Sequence, residues 1–162
     1  MDQTSFHSIR PVRPEDLTIL QSIITANEMF PPEMLPDMMS AFFAGDAAGE
    51  FWVTYEKDDT PVSVAYFAPE RMTEGTYNLY LIAVHPDQHS RGIGQEMMHY
   101  IESFLREKSV RILLVETSGL AEFERTRSFY HQNGYSLEAT VREFYTKGED
   151  KIIFWKKLAK DE

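Results

Sequence analysis

The first third of the chain carries one weakly alternating segment followed by two segments with helical spacing. Ser5–Val12 alternates between apolar and polar positions and predicts an opening strand. A proline and two acidic residues at 14–16 are typical of a helix start, because carboxylates suit the positive end of the helix dipole. Hydrophobic residues then recur at helical spacing at Leu17, Leu20, Ile23 and Ile24. Two prolines at 31–32 end that helix, and a second short helix is expected over Glu33–Phe43.

The next segment has the pattern of three strands. Phe51–Tyr55 is rich in aromatic and β-branched residues, and Pro61–Ala68 supplies a return strand after a turn at Asp58-Asp59. A further strand is expected over Thr76–Val84, ending at His85-Pro86. The pattern therefore predicts a hairpin followed by another strand of a sheet.

A strand, loop, helix and strand follow one another at the centre of the chain. The strand over Thr76–Val84 leads through a glycine-containing loop into a helix over Gly92–Lys108. The next strand, Val110–Val115, is nearly all apolar, which is typical of a strand that is buried on both faces and paired in parallel. This order predicts a right-handed βαβ crossover.

The C-terminal third predicts one helix and a hairpin. Glu122–Gln132 has helical character and is closed by Asn133-Gly134, where glycine suits the cap. Tyr135–Val141 alternates as a strand, and Ile152–Leu158 returns after a turn at 148–150. Residues 1–162 are therefore expected to form a single α/β domain, with a mixed, twisted sheet of about six or seven strands flanked by about four helices.

Composition narrows the class of protein. The 162 residues include no cysteine, which excludes disulfides, thiolate metal sites and cysteine nucleophiles. The net charge of −10 argues against nucleic acid and anionic membranes as partners and favours cationic ones such as amines. No apolar run reaches the ~18 residues of a membrane helix, and the first ten residues lack the apolar stretch of a signal peptide. A cytoplasmic protein is the expectation.

The segment Val84–Gly94 carries the most specific chemical signal. Gly92 and Gly94 lie between a strand and a helix, so that backbone N–H groups can converge at the positive end of the helix. Phosphate is the natural ligand, and Arg91 can add charge. The dinucleotide fingerprint fails because Met97 stands at its third glycine position, and no Gly-Lys-Ser/Thr follows to make a P-loop. A tight turn without ligand, or an unrelated phosphate-binding module, stays open at this point.

Two motifs together resemble a known family. Leu81–Pro86 followed by His89–Gly94 resembles motif A of the GNAT superfamily, the acetyl-CoA-dependent N-acetyltransferases. Arg127–Tyr135, with its Phe129-Tyr130 and Gly134-Tyr135 pairs, is similar to motif B of the same family. The predicted order of elements matches the family fold over nearly the whole chain. His89 departs from the Gln or Arg that the family uses at the first motif position.

The resemblance implies a binding mode for acetyl-CoA. In the family the cofactor, a co-substrate, lies where the strand before the glycine loop and the next parallel strand splay apart into a V. The backbone of the Ile82-Ala83-Val84 segment is then expected to contact the pantetheine and acetyl groups, with the Val84 N–H as oxyanion donor. The diphosphate is expected on the N–H groups of Ser90, Arg91, Gly92, Ile93 and Gly94, with the His89 and Arg91 side chains at its edge.

The resemblance also implies catalytic residues. Tyr130 stands where family members place a tyrosine that protonates or hydrogen-bonds the departing thiolate, although Phe129-Tyr130 also suits core packing. Glu116, at the end of the buried strand, is the leading candidate for the base that deprotonates the amine. A structural role, as a helix cap or in an ion pair, is the other interpretation of this residue, and ordered water is the other source of base. Tyr80 is a further candidate to line the site.

Some assignments stay open at this stage. The expected reaction is direct acetyl transfer from acetyl-CoA to a primary amine, on a small molecule or a protein, in a ternary complex; the alternative is an acyl-CoA-binding sensor without turnover. No metal is expected, because the His85/His89 spacing is interrupted by Pro86. Arg127 either reaches the CoA phosphates or lies on a solvated helix face. A homodimer is possible. Four methionines either pack in the core or line an acceptor pocket: Met29, Met34, Met38 and Met39.

Overall fold

A computed structural model describes residues 8–160 of the chain. Within that range it contains eight strands and four α-helices. The strands are β1 (Ile9–Pro11), β2 (Phe51–Lys57), β3 (Thr60–Pro61), β4 (Ser63–Pro69), β5 (Thr76–Val84), β6 (Ile112–Ser118), β7 (Ser136–Thr146) and β8 (Glu149–Lys157). The helices are α1 (Leu17–Ala26), α2 (Leu35–Phe43), α3 (Ile93–Glu107) and α4 (Glu124–Gln132). None of these helices has both the length and the apolar content that a bilayer-spanning segment needs.

The described residues fall into two compact units. The first comprises 8–68 and Leu81–Ser103, and the second comprises Pro69–Tyr80 and 104–160. Strand β5 and helix α3 each contribute residues to both units.

The first unit packs α1 and α2 against aromatic and aliphatic strand residues. Strand β2 pairs antiparallel with β1 and with β4. Trp52 in β2 is fully buried and stacks on Tyr66 of β4, with 4.4 Å between ring centroids. The helices contribute their apolar stripes to this core, whose buried members are Val12, Leu20, Ile23, Ile24, Leu35, Met39, Trp52, Val64, Leu81 and Ala83. The apolar periodicity of the sequence is thus the face that each helix buries.

A partly buried ion pair links β1 to the start of α1. Arg10 donates to both carboxylate oxygens of Asp16, at 2.8 and 2.9 Å, and Asp16 Oδ2 also accepts from the Arg13 N–H at 2.7 Å. The Arg10 hydrogen bond, more than any other contact, holds the pKa of Asp16 below its usual value.

Asp16→Asn is therefore expected to lower the free energy of unfolding by about 3 kcal/mol at neutral pH, because it leaves Arg10 without its main partner. Since the pKa of the folded Asp16 carboxyl is lowered, its contribution is present above about pH 4 and is lost as the pH falls through the folded value. The difference in the free energy of unfolding between the wild type and Asp16→Asn should accordingly shrink in acid. Urea unfolding at pH 7 and at pH 2.5 measures it, with the exposed Asp46→Asn as control. Equal losses in both variants would contradict this role.

The second unit contains the mixed part of the sheet. Strand β5 pairs in parallel with β6, from Thr76 opposite Ile112 to Leu79 opposite Val115. Strand β6 pairs antiparallel with β8 over its whole length, and β8 pairs with β7. The parallel register ends at Leu79, before β5 itself ends at Val84, and the splay of the two strands stays a prediction.

The predicted α/β fold with its central β5–α3–β6 unit is confirmed, with three differences in detail. The part of the opening strand before residue 8 lies outside the described residues. An additional two-residue strand, β3, arises because Asp58 and Asp59 both have positive φ and make a tight hairpin back onto β2. Strand β7 runs to Thr146 rather than Val141, and its alternating residues Leu137 and Val141 are exposed, because β7 is the last strand of this sheet.

Candidate active site

The glycine loop has the backbone of an anion-binding turn. Ser90 and Gly92 both have left-handed conformations, with φ of +63° and +80°, and helix α3 begins at the next residue, Ile93. Arg91, between them, does not have a positive φ, and such an alternation along the backbone can turn N–H groups towards one side. The first N–H groups of α3 have no partner within the helix, so the loop and the helix start can donate to the same anion.

The loop also has room for a ligand. A Cβ built on Gly92 would meet no other atom within 4 Å, so the backbone is open to close approach at this point. Ser90, Arg91 and Gly92 are all exposed, whereas Ile93 is buried and fixes the start of the helix. The residues present therefore fit a diphosphate, which needs accessible N–H donors and benefits from the Arg91 charge.

The end of β5 offers backbone donors on one edge. The His85 N–H donates to the Val62 carbonyl at 2.8 Å. Because neighbouring residues of an extended strand direct their N–H groups to opposite edges, those of Val84 and Ile82 point away from Val62. These are the two residues whose backbone is expected to meet the pantetheine. Ala83, between them, is buried in the core.

The His89 side chain is folded back onto the strand. Its Nε2 lies 2.8 Å from the Val84 carbonyl oxygen, which also accepts from Asn27 Nδ2 at 3.1 Å. With the proton on Nε2, His89 donates to that carbonyl. This contact ties the His89 side chain to Val84, the last residue of β5.

One face of the second unit's sheet carries a connected set of polar side chains. Glu116 Oε1 accepts from Asn78 Nδ2 at 2.7 Å and lies 2.8 Å from Lys151 Nζ. Asn78 Nδ2 also donates to Glu70 Oε1 at 2.8 Å, and Tyr80 donates to the same oxygen at 2.7 Å. The strand register explains the assembly: Asn78 and Lys151 are diagonal neighbours of Glu116 on either side of β6.

The cluster favours the ionised form of Glu70. The hydrogen bonds from Asn78 and Tyr80 lower the pKa of Glu70, with a smaller contribution from the charge of Lys151. Both donors to Glu116 converge on Oε1, which leaves Oε2 without a donor among residues 8–160.

Tyr130 is buried in an aromatic environment. Its ring packs against Phe129, Tyr135 and Phe154 with centroid separations of 5.4 to 5.9 Å. The side chain is almost completely buried, and this burial raises the pKa of the phenol, so the hydroxyl keeps its proton at physiological pH. No residue in the range 8–160 makes a hydrogen bond to this hydroxyl, which leaves it available as a donor.

Comparison with known proteins decides the family. The sequence model of the acetyltransferase (GNAT) family matches residues 17–135. The chain belongs to the GNAT family. A crystal structure of a GNAT-family acetyltransferase from Desulfovibrio desulfuricans is 31% identical, with a TM-score of 0.87, over 93% of this chain and 98% of that one.

Two more distant solved structures share the fold alone. An aminoglycoside 6'-N-acetyltransferase complexed with coenzyme A is 14% identical, with a TM-score of 0.75, over 95% of this chain and 98% of that one. The ribosomal-protein-S18-alanine N-acetyltransferase from Escherichia coli is 16% identical, with a TM-score of 0.72, over 95% of each chain. A search of curated proteins found no significant match.

Every candidate site residue that was named from the sequence lies within residues 17–135, which match the GNAT family. The structure places Glu116 in an ion pair, as one of the two interpretations of this residue expected, and gives it partners that the sequence did not suggest. Asn78 is the one that a sequence signal marks, since it is a lone amide in the otherwise apolar and aromatic stretch 77–83.

Other candidates in this GNAT chain have structural partners. Arg127 Nη1 donates to the carbonyls of Ser118 and Leu120, both at 2.8 Å, so its side chain joins the end of β6 to α4.

The four methionines differ in burial. Met39 is fully buried, whereas Met29, Met34 and Met38 are between 38% and 50% exposed. In the part of the chain that the structure describes, no group of three or more side chains is arranged to hold a metal ion.

Proposed function

We propose that the chain is a single N-acetyltransferase domain that transfers the acetyl group of acetyl-CoA directly to a primary amine. The loop conformation carries the proposal: in a chain of the GNAT family, two exposed left-handed residues, Ser90 and Gly92, lie in the loop that leads directly into helix α3, with open space at Gly92. Acetyl-CoA supplies an activated thioester and a diphosphate that suits these N–H donors.

We propose one group of the chain for the charge on the acetyl oxygen, one for the amine proton and one for the charge on the sulfur. Transfer forms a C–N bond to the amine and breaks the C–S bond, so negative charge develops first on the acetyl oxygen and then on sulfur. The Val84 N–H is the proposed donor to the acetyl oxygen, a contribution worth about 3 kcal/mol in other acyl transfers. Glu116 Oε2 takes the proton that the amine loses, directly or through water, and the thiolate leaves with CoA.

Tyr130 is the proposed donor to the departing sulfur. A thiol has a pKa of about 8.5 and a phenol about 10, and burial raises the pKa of Tyr130 further. Full proton transfer from this phenol to a thiolate is therefore uphill. The phenol acts mainly by donating a hydrogen bond to the charge as it develops, which favours the transition state over the bound thioester.

Glu116→Gln is expected to lower kcat by about 100-fold at pH 7, because an amide cannot take the amine proton. The loss should diminish at high pH, where more of the acceptor is already a free amine. A pH profile of kcat from 6 to 10 measures this. Glu56→Gln is the matched control, because Glu56 also forms an ion pair, with Arg10 at 3.0 Å. The same loss at every pH would assign Glu116 a structural role.

One observation favours the alternative of an acyl-CoA-binding sensor. Glu116, the proposed base, forms an ion pair with Lys151, and such a pair is also expected of a carboxylate with a purely structural role. The two functions differ in turnover, because a sensor binds acetyl-CoA without releasing free thiol when amines are added.

The test of the proposed function is thiol release from acetyl-CoA with a panel of acceptors. The panel contains small amines, amino acids, an aminoglycoside and peptides with free N-termini or lysines. Acceptor-dependent thiol release, with the acetylated product seen by mass spectrometry, is the expected result. Because the net charge is −10, cationic amines should be preferred over acidic, amine-poor compounds. Binding of acetyl-CoA without release for any acceptor would support the sensor, and no binding would overturn both.

A further inference from the structure

Asn78 is a buried amide whose hydrogen bonds are distributed unusually. Its side-chain nitrogen donates to two carboxylates, Glu116 at 2.7 Å and Glu70 at 2.8 Å. The residue is 1% exposed, and its Oδ1 has no hydrogen-bond partner among the described residues. Burying a carbonyl without a partner is unfavourable. The opposite orientation of the amide would place that oxygen against two negative charges, so the carboxylates determine which way Asn78 points.

The consequence for Glu116 is a single fixed orientation. Asn78 and Lys151 approach the same oxygen, Oε1, from the two strands that flank β6. A carboxylate that is anchored through one oxygen presents the other in a constant direction. Lys151 also offsets the negative charge that Glu70 and Glu116 accumulate on this face, and its ammonium lies 4.0 Å from the centroid of the Phe144 ring.

We propose that Asn78 is a positioning residue for acetyl transfer, which orients Glu116 by bridging it to Glu70. This inference rests on the proposed role of Glu116 as the base. We assign Asn78 no direct contact with substrate or cofactor; it acts through Glu116. It determines which oxygen of Glu116 is left without a donor.

The charged groups around Glu116 indicate the direction of the effect. Lys151 faces it from β8, and the Glu70 carboxylate reaches it through Asn78. From β7, Tyr145 faces it; burial, with smaller contributions from the charges of Glu116 and Glu149, raises the pKa of this phenol to about 12, so it stays neutral. Removing a donor, or adding a negative charge, therefore makes the ionised carboxylate less favourable.

Asn78→Asp keeps the shape of the side chain and replaces the bridging amide with a third acid. We expect the acidic limb of the kcat/KM profile to move to higher pH by about one unit or more. Above that limb, kcat/KM should return to within about threefold of the wild-type value, which a merely structural defect would not allow. Lys151→Met should move the limb in the same direction. It also serves as the second variant if Asn78→Asp folds poorly.

The experiment measures three proteins and one control. The profiles of wild type, Asn78→Asp and Lys151→Met are recorded with one amine from pH 5 to 10. Lys108→Met is the control, because Lys108 also lies over a phenylalanine ring, Phe104 at 5.0 Å. Carbon-13 titration of the Glu70 carboxyl should show its pKa rising in both variants but not in the control, since Asn78 is the main cause of its lowering.

The outcomes separate the two proposals. Transfer by the wild type with acidic limbs that move in both variants supports the positioning role. Transfer with limbs that stay in place in the folded variants overturns that role and leaves the proposed function intact. A wild-type protein that transfers no acetyl group to any amine overturns the proposed function and this inference with it.

Discussion

Replacement of Tyr130 by phenylalanine is expected to lower kcat for acetyl transfer by about 100- to 1,000-fold while leaving the KM for acetyl-CoA nearly unchanged. The hydroxyl has no hydrogen-bond partner in residues 8–160, and the ring makes all of the packing contacts with Phe129, Tyr135 and Phe154. Phenylalanine preserves that packing. The loss should therefore appear in the step where sulfur gains charge rather than in folding or binding.

Thermal unfolding and kinetics together test this assignment. Tyr130→Phe should unfold within a few degrees of the wild type. Tyr135→Phe is the matched control, because Tyr135 is also buried and its ring lies 5.9 Å from that of Tyr130. It should keep most of the activity. If Tyr130→Phe turns over like the wild type, Tyr130 is a packing residue and the departing thiolate needs no phenol.

Gly92→Ala is expected to weaken coenzyme A binding by about 10-fold or more, equivalent to the loss of one hydrogen bond to a charged group. The added methyl group would occupy the open space through which a diphosphate approaches the N–H groups. It would also strain the backbone, since Gly92 has a φ of +80°, and cost about 1 kcal/mol of stability.

A second glycine separates strain from ligand exclusion. Gly148, in the turn between β7 and β8, has a φ of +82° and likewise has no atom within 4 Å of a built Cβ. Gly148→Ala should therefore lose similar stability without weakening coenzyme A binding. Calorimetric titration of both variants measures the difference. Equal weakening in the two would show that the effect at Gly92 comes from backbone strain and not from the loss of a phosphate site.

The central part of the fold could be predicted from the sequence. The apolar run Val110–Val115 indicated a buried parallel strand, and the two glycines after Val84 marked the turn from strand to helix. These signals are local, because each depends on residues that are adjacent in the chain. For the same reason the two-residue strand β3 was missed: no periodicity can be read from two residues.

The partners of Glu116 could not be predicted in the same way. Asn78, Glu116 and Lys151 lie on three different strands, and only their register brings them together. Register depends on the pairing of whole strands, which a single sequence does not specify. The same limit explains β7, where the alternation of Leu137 and Val141 is that of a strand but gives no sign that the strand lies at the edge of its sheet.

A crystal structure of the protein with coenzyme A bound would test the proposed binding of the diphosphate by the glycine loop most directly. We expect the diphosphate oxygens to accept hydrogen bonds from the N–H groups between Ser90 and Gly94, and the sulfur to lie beside the Tyr130 hydroxyl. Coenzyme A bound at another surface, or a crystal soaked at saturating concentration that shows none, would contradict it.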